Sequence, residues 1–282
     1  MHPADEEGSY DEIQLGVTDV IPKEGGGYVM HYLGGSGEGV ELGTAPGMGP
    51  LVGFRMRCLA AESEEGLLWQ RRGTPVIDVG ATGSWDSLFA SWPRALPVDV
   101  DDPSGEWLIS YHALQPAEAA GVPARWAAGC AVTPGRYGLG PVTKLGRVLE
   151  GGSAGAWDER GIGTRHVIHH DGALYMFFEG VNAESVHSIG LARSDDKGRT
   201  WTKETVPGKS EPGGPIFEAR RGTQAWDNRV VGTPWVTKVP GGGYRLYYIG
   251  TTFNDNGIPN TGIGCAESVG EGLTEWRRVS LQ

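Results

Sequence analysis

Apolar residues along this chain come in short runs, broken every few positions by glycine, proline or aspartate. The clearest runs are Tyr28-Val-Met-His-Tyr-Leu-Gly, Trp107-Leu-Ile-Ser-Tyr-His-Ala, Leu174-Tyr-Met-Phe-Phe-Glu-Gly and Tyr244-Arg-Leu-Tyr-Tyr-Ile-Gly. Aromatic and β-branched stretches of this length between turn residues predict strands joined by hairpins. No segment carries a 3.6-residue period long enough for a substantial helix, so helices should be few and short.

The four runs belong to a longer repeat. An aromatic-Asp pair stands before each, at Tyr10-Asp11, Trp85-Asp86, Trp157-Asp158 and Trp226-Asp227, at intervals of 75, 72 and 69 residues. After each pair comes a first apolar stretch, beginning near Val17, Trp92, Thr164 and Thr233, then the run above. A third stretch follows around Cys58, Cys130, Leu191 and Cys265, and in three units a fourth ends near Trp69, Trp201 or Trp276. Four antiparallel strands per repeat describe the blade of a β-propeller. The fold class predicted is therefore all-β, one propeller domain over residues 1–282, with units at about 10–84, 85–156, 157–225 and 226–282. The Trp-Asp pair is not that of WD40 repeats, whose period is about 40–45 residues. An aspartate needed in every unit reads as structural, its carboxylate accepting backbone N–H bonds where one blade crosses to the next.

Composition narrows the partners. Lys+Arg 24 against Asp+Glu 35 gives a net charge of −11, which argues against nucleic acid, since phosphate backbones require a basic surface. No run approaches the ~20 apolar residues of a membrane span, so no membrane partner is expected. The acidic start Met1-His2-Pro3-Ala4-Asp5-Glu6-Glu7 is unlike a secretory signal, and the expected location is cytoplasmic. Cys58, Cys130 and Cys265 sit at corresponding third-strand places in different units, where they read as small apolar side chains and not as a disulfide or a metal site.

Where the repeats disagree, a site is indicated. Two places past the start of the first strand the residues are Asp19, Arg94, His166 and Trp235, and one place earlier Thr18, Pro93, Arg165 and Pro234. In the second strand a column reads Leu33, His112, Glu179 and Ile249. The bland readings are a charge pair between Asp19 and Arg94 or Arg165, a satisfied channel histidine at His166, and packing for Trp92 and Trp235. The functional reading is a pocket in which indoles stack on sugar rings. Its binding residues would be Trp92, Arg94, His112, Arg165, His166 and Trp235. His169 and His170 beside Asp171-Gly172 read as solvated hairpin residues.

Two motifs carry resemblances. Ser194-Asp195-Asp196-Lys197-Gly198-Arg199-Thr200-Trp201 is similar to the Asp-box turn of sialidases and other propellers. Ser91-Trp92-Pro93-Arg94-Ala95 and Thr164-Arg165-His166-Val167-Ile168 resemble the Trp-Ala-Pro-Asp-Val and Glu-Gly-Pro-His-Ile motifs of glycoside hydrolase family 43. That family belongs to the five-bladed arabinanase, levansucrase and invertase superfamily. The resemblance implies a carbohydrate partner, hydrolysis by paired carboxylates and no organic cofactor; a calcium or similar ion in the channel is compatible with it. Departures are plain: Arg94 and Asp19 share the column of the tuning aspartate, Gly163 stands where the acid glutamate falls, and four units are readable against five. Asp19 and Glu179 are the available catalytic pair, Glu179 as a displaced acid; such pairs sit ~6.5–9.5 Å apart for inversion or ~5–5.5 Å for retention. The rival from another class is a propeller that binds a glycan or protein without turnover. A sialidase is a more distant alternative, because one Asp box brings no arginine cluster.

Overall fold

The computed structural model describes residues 1–44, 50–115, 124–206 and 213–279. They form sixteen strands and one 3-10 turn at Arg136–Gly138, in four four-stranded antiparallel sheets, each a meander of consecutive strands. This is the all-β, four-blade propeller class that the repeats predict. The sheets follow the repeat boundaries because each aromatic run pairs with the runs on either side of it in sequence, joined by short loops.

The chain divides into two compact units, Met1–Val148 and Leu149–Gln282. The first holds β1 (Gln14–Pro22), β2 (Tyr28–Thr44), β3 (Pro50–Ser63) and β4 (Gln70–Arg71), and a second sheet of β5 (Ser91–Pro97), β6 (Trp107–Gln115), β7 (Arg125–Thr133) and β8 (Thr143–Glu150), whose last residues pass the boundary. Cys58, Ile77, Ala95, Ile109, Tyr111 and Ala131 form one of its cores. The other unit holds β9 (Ile162–His170), β10 (Ala173–Val181), β11 (His187–Ser194) and β12 (Thr202–Lys203), with β13 (Val230–Lys238), β14 (Tyr244–Phe253), β15 (Pro259–Ser268) and β16 (Trp276–Arg278). Phe177, Ile189, Leu191, Val236, Leu246 and Tyr248 close its core, each such side chain contributing about 1.5–3 kcal/mol by leaving water.

The repeated aspartates are all buried, at 3% exposure or less, and their partners correct the expectation. Each carboxylate meets a cation from the last strand of its own sheet or close by: Asp11 with Arg71 at 2.8 Å, Asp86 with Lys144 at 2.6 Å, Asp158 with Lys203 at 2.5 Å, Asp227 with Arg278 at 2.7 Å. Among the described residues a backbone amide reaches only Asp158, from Gly152 at 2.9 Å. The aspartate therefore clamps the last strand to the entry of the first. The aromatic before it packs on the second strand, Trp157 on Phe178 at 5.6 Å and Trp226 on Tyr248 at 5.9 Å. Gly180 and Gly250 make room for these indoles, since a Cβ at either would lie 2.3 Å from a tryptophan ring carbon.

In the turn at residues 194–201, burial pushes the Asp196 carboxyl up, but the bonds it accepts from the Thr200 hydroxyl and amide, Ser194 Oγ and the Arg199 amide together outweigh that push and hold it at about 2. Trp201 Nε1 donates to Gly198 O three residues back. The same bond recurs from Trp69 to Gly66 O and from Trp276 to Leu273 O.

The three thiols are free, Cys58 and Cys130 buried and Cys265 half-buried. Their expected equivalence fails for one. Cys130 and Cys265 lie beside the Gly that faces Tyr111 or Tyr248, but Leu59 faces Tyr32, so Ala60 holds the matching rung and Cys58 lies two residues away. No helix among the described residues is long and apolar enough to cross a membrane.

Candidate functional site

Every first strand carries one extra residue at nearly the same place. The register slips between Val17 and Asp19 in β1, between Ser91 and Arg94 in β5, opposite Phe178 to Gly180 in β9, and between Gly232 and Trp235 in β13. A bulge leaves residues unpaired and re-aims their side chains. The divergent first-strand column of the sequence flanks these bulges: Asp19, Arg94 and Trp235 take the first paired rung beyond the slip and His166 the second. Trp92 and Thr233, equivalent residues each followed by proline, have φ of 60° and 49°. For a bulky or β-branched side chain that is a strained conformation, of the kind that accompanies sites.

In the first unit, Asp19 faces Arg94. Burial pushes the Asp19 carboxyl above its ordinary value, against the pull of the Arg94 charge and of the Ala95 and Val20 amides. Burial likewise lowers Arg94 to about 10, with Asp19 holding it back. Thr18 Oγ1 donates to His31 O at 3.0 Å and also contacts Pro93 O, tying β1 to β5. Trp92, His112 and Trp126 form a chain of tilted rings, with centroids 6.2 and 4.7 Å apart. His112 is buried in it.

In the other unit the polar centre is Glu179. Its Oε1 is 2.5 Å from His187 Nδ1, and its Oε2 accepts from Thr164 Oγ1 at 2.5 Å and from the Thr233 amide at 3.0 Å. Gly232 closes the space, for a Cβ there would meet the carboxylate at 2.5–2.7 Å. Burial alone would raise this carboxyl; the bonds and charge of His187, then Thr164 and Thr233, outweigh it, and the carboxyl lies below its ordinary value. Glu179 is thus held ionised, the opposite of what the displaced-acid role needs. Beside it, His166 and Trp235 stack at 4.4 Å and 18°, His166 Nδ1 accepting the Val236 amide at 3.0 Å. Trp235 keeps 39% of its surface exposed, whereas Arg165 is fully buried, its Nη1 3.4 Å from Gly163 O. His170 is not a solvated hairpin residue: its Nδ1 lies 2.8 Å from Tyr244 Oη, and its ring packs edge-on against Tyr175 and Tyr244.

Sequence columns found Asp19 with Arg94, Trp92 with His112, and His166 with Trp235, and missed His187, Thr233 and Trp126. A signal existed. His187 lies three residues before Gly190, which faces Phe178, and Trp126 three before Gly129, which faces Tyr111. The polar column of the second strand therefore meets one third-strand column, giving Glu179–His187 in one sheet and His112–Trp126 in another. No cluster of three or more His, Cys, Asp or Glu side chains able to hold a metal occurs among the described residues.

No family model and no curated protein sequence matches the chain. Solved structures do. A glycosyl hydrolase from Bacteroides ovatus superimposes with a TM-score of 0.66 at 18% identity, over 99% of this chain and 76% of that one. A structure described under "the GH130 family of mannoside phosphorylases contains glycoside hydrolases that target beta-1,2 mannosidic linkages in Candida mannan" gives 0.64 at 18%, over 99% and 76%. Zg3597, a family 117 glycoside hydrolase produced by Zobellia galactanivorans, gives 0.65 at 16%, over 99% and 73%. At these identities the likeness is one of fold, and the fold of this chain is that of these glycoside-hydrolase structures.

Proposed function

We propose that this protein binds a glycan on the Trp235–His166 face of β13 and β9 and hydrolyses it, as a carbohydrate-active protein of glycoside hydrolase type. The observation that carries the reading is the exposed Trp235 indole held flat by His166, the surface on which an apolar sugar face stacks. The fold likeness and the resemblance to family 43 motifs support it. Hydrolysis needs one carboxyl protonated and one ionised. Burial biases Asp19 toward the protonated form, and hydrogen bonds bias Glu179 toward the ionised one, so of the two carboxylates Asp19 has the character of an acid and Glu179 that of a base. A binding-only form is favoured by one specific feature: Arg94 stands beside Asp19, where it competes for the carboxyl.

Screening aryl glycosides and oligosaccharides against the parent and three variants tests this. Trp235→Ala should weaken binding about tenfold or more, the loss of one stacking contact and its buried area. Asp19→Asn and Glu179→Gln should each lower kcat about 100-fold or more while sparing binding. Turnover that survives both carboxylate changes rejects the acid–base assignment. Binding without turnover in the parent selects the binding-only form, and binding indifferent to Trp235→Ala removes the platform.

A further inference from the structure

A cavity of about 510 Å³ opens beside the Glu179–His187 pair, lined by Ser185, His187, Asn228, Arg229, Thr252 and Phe253 among others. Its size lies within the ~300–1,000 Å³ of small-molecule sites. His187 gives Nδ1 to Glu179, which leaves Nε2 for the cavity. Phe253 contributes a half-exposed ring. The charge balance is unusual for this chain. With a net charge of −11, it pairs several cations of this unit with carboxylates: Lys203 with Asp158, Arg193 with Asp195, Arg220 and Arg278 with Asp227, Arg245 with Glu267. Arg229 is held instead by the Glu184 carbonyl at 2.5 Å, and Arg160 by Ser185 Oγ at 3.1 Å. Among the described residues no carboxylate pairs with either guanidinium, and none of the lining residues is acidic.

We infer that this cavity binds a sugar unit bearing an anionic substituent, a carboxylate or a sulfate. Arg229 would meet the charge, with Arg160 behind Ser185 adding to the field, and the Phe253 ring would cover the apolar face of the sugar. Ser185 and Thr252 hydroxyls and His187 Nε2 serve its neutral hydroxyl groups. The inference rests on the carbohydrate reading above and gives it a substrate class.

The test compares oligouronides and sulfated oligosaccharides with their carboxyl-reduced and desulfated counterparts, by isothermal titration of the whole chain. The charged member of at least one pair should bind about tenfold or more tightly than its neutral counterpart, the increment of one charge-assisted contact. Arg229→Gln should abolish that preference while leaving neutral binding intact, which also shows that the variant folds. Preference confined to the uronides assigns the carboxylate, and confined to the sulfated series, the sulfate. Equal binding of charged and neutral members by the parent overturns the inference, as does a preference that persists in both Arg229→Gln and Arg160→Gln. Neutral binding that depends on Trp235 without any charge preference sinks this inference alone; no binding of any oligosaccharide sinks the carbohydrate reading with it.

Discussion

His31 shows how one buried side chain sets a pH limit. It is fully buried, its Nε2 lies 2.7 Å from Tyr137 O, and Nδ1 has no partner among the described residues. Burial therefore depresses its pKa from 6.5 to about 4, against the hydrogen bond to Tyr137. The sign follows from linkage. The folded state binds this proton less readily than the unfolded one, so stability is full above about 6.5 and falls as pH drops toward 4. Urea unfolding at pH 7 and pH 4.5 should differ by about 2–3 kcal/mol from this residue, one pKa unit being worth about 1.36 kcal/mol. His31→Gln, which keeps a donor for Tyr137 O, should flatten that part of the curve; an unchanged slope would show that another group carries it. Glu179 has the same sign. Its lowered carboxyl stabilises the fold above the ordinary glutamate range and ceases to do so as pH falls through its depressed value.

Among the elements, the recurring clamp between the first strand's entry and the last strand is the feature most open to test. Asp158 is 2% exposed and Lys203 21% on their side chains. Asp158→Asn should cost about 2–3 kcal/mol, somewhat below the ~3–5 kcal/mol of a fully buried pair broken on one side. Arg193→Ala, which opens an exposed pair with Asp195, should leave the melting temperature unchanged; equal losses would show that burial does not decide. The strands and their order were legible in the sequence, because a period of about 70 residues aligns the chain with itself. The clamps were not. Asp11 and Arg71 lie 60 residues apart and Asp158 and Lys203 only 45, so loop length hides a partnership that the sheet restores. The bulges were equally silent, since an extra residue at Thr18, at Pro93 or beside Pro234 has no composition of its own. Their columns nonetheless diverged, which is why Asp19, Arg94, His166 and Trp235 could be named from sequence, whereas His187, two strands further on, is reached only by aligning the third strands on Gly190 and Gly129.

At the scale of the whole molecule, charge and acid sensitivity converge. The net charge of −11 at pH 7 vanishes near pH 5.1, within the window in which His31 loosens the fold. Low net charge removes the repulsion that keeps proteins apart. Light scattering on slow acidification should therefore rise most steeply near pH 5. His31→Gln should delay that rise, and a parent protein that stays clear through pH 5 would contradict the coincidence. The likeness to glycoside-hydrolase structures at 15–19% identity was legible only as pattern, because strand pairing preserves periodicity and burial while identities drift. The first-strand bulge gives that drift a direction. It recurs near one place in four sheets, at Thr18, at Trp92–Pro93, at Gly163–Thr164 and at Thr233–Pro234, with Asp19, Arg94, His166 and Trp235 paired just beyond it. Each sheet keeps its clamp and core whatever stands there, so the bulge is a socket that can be rewritten one blade at a time. Thr18, Arg94 and Arg165 are buried, so a substitution there needs its partner changed with it, and a designer exchanging these short segments between blades would be repeating a move that the chain's own divergence already records.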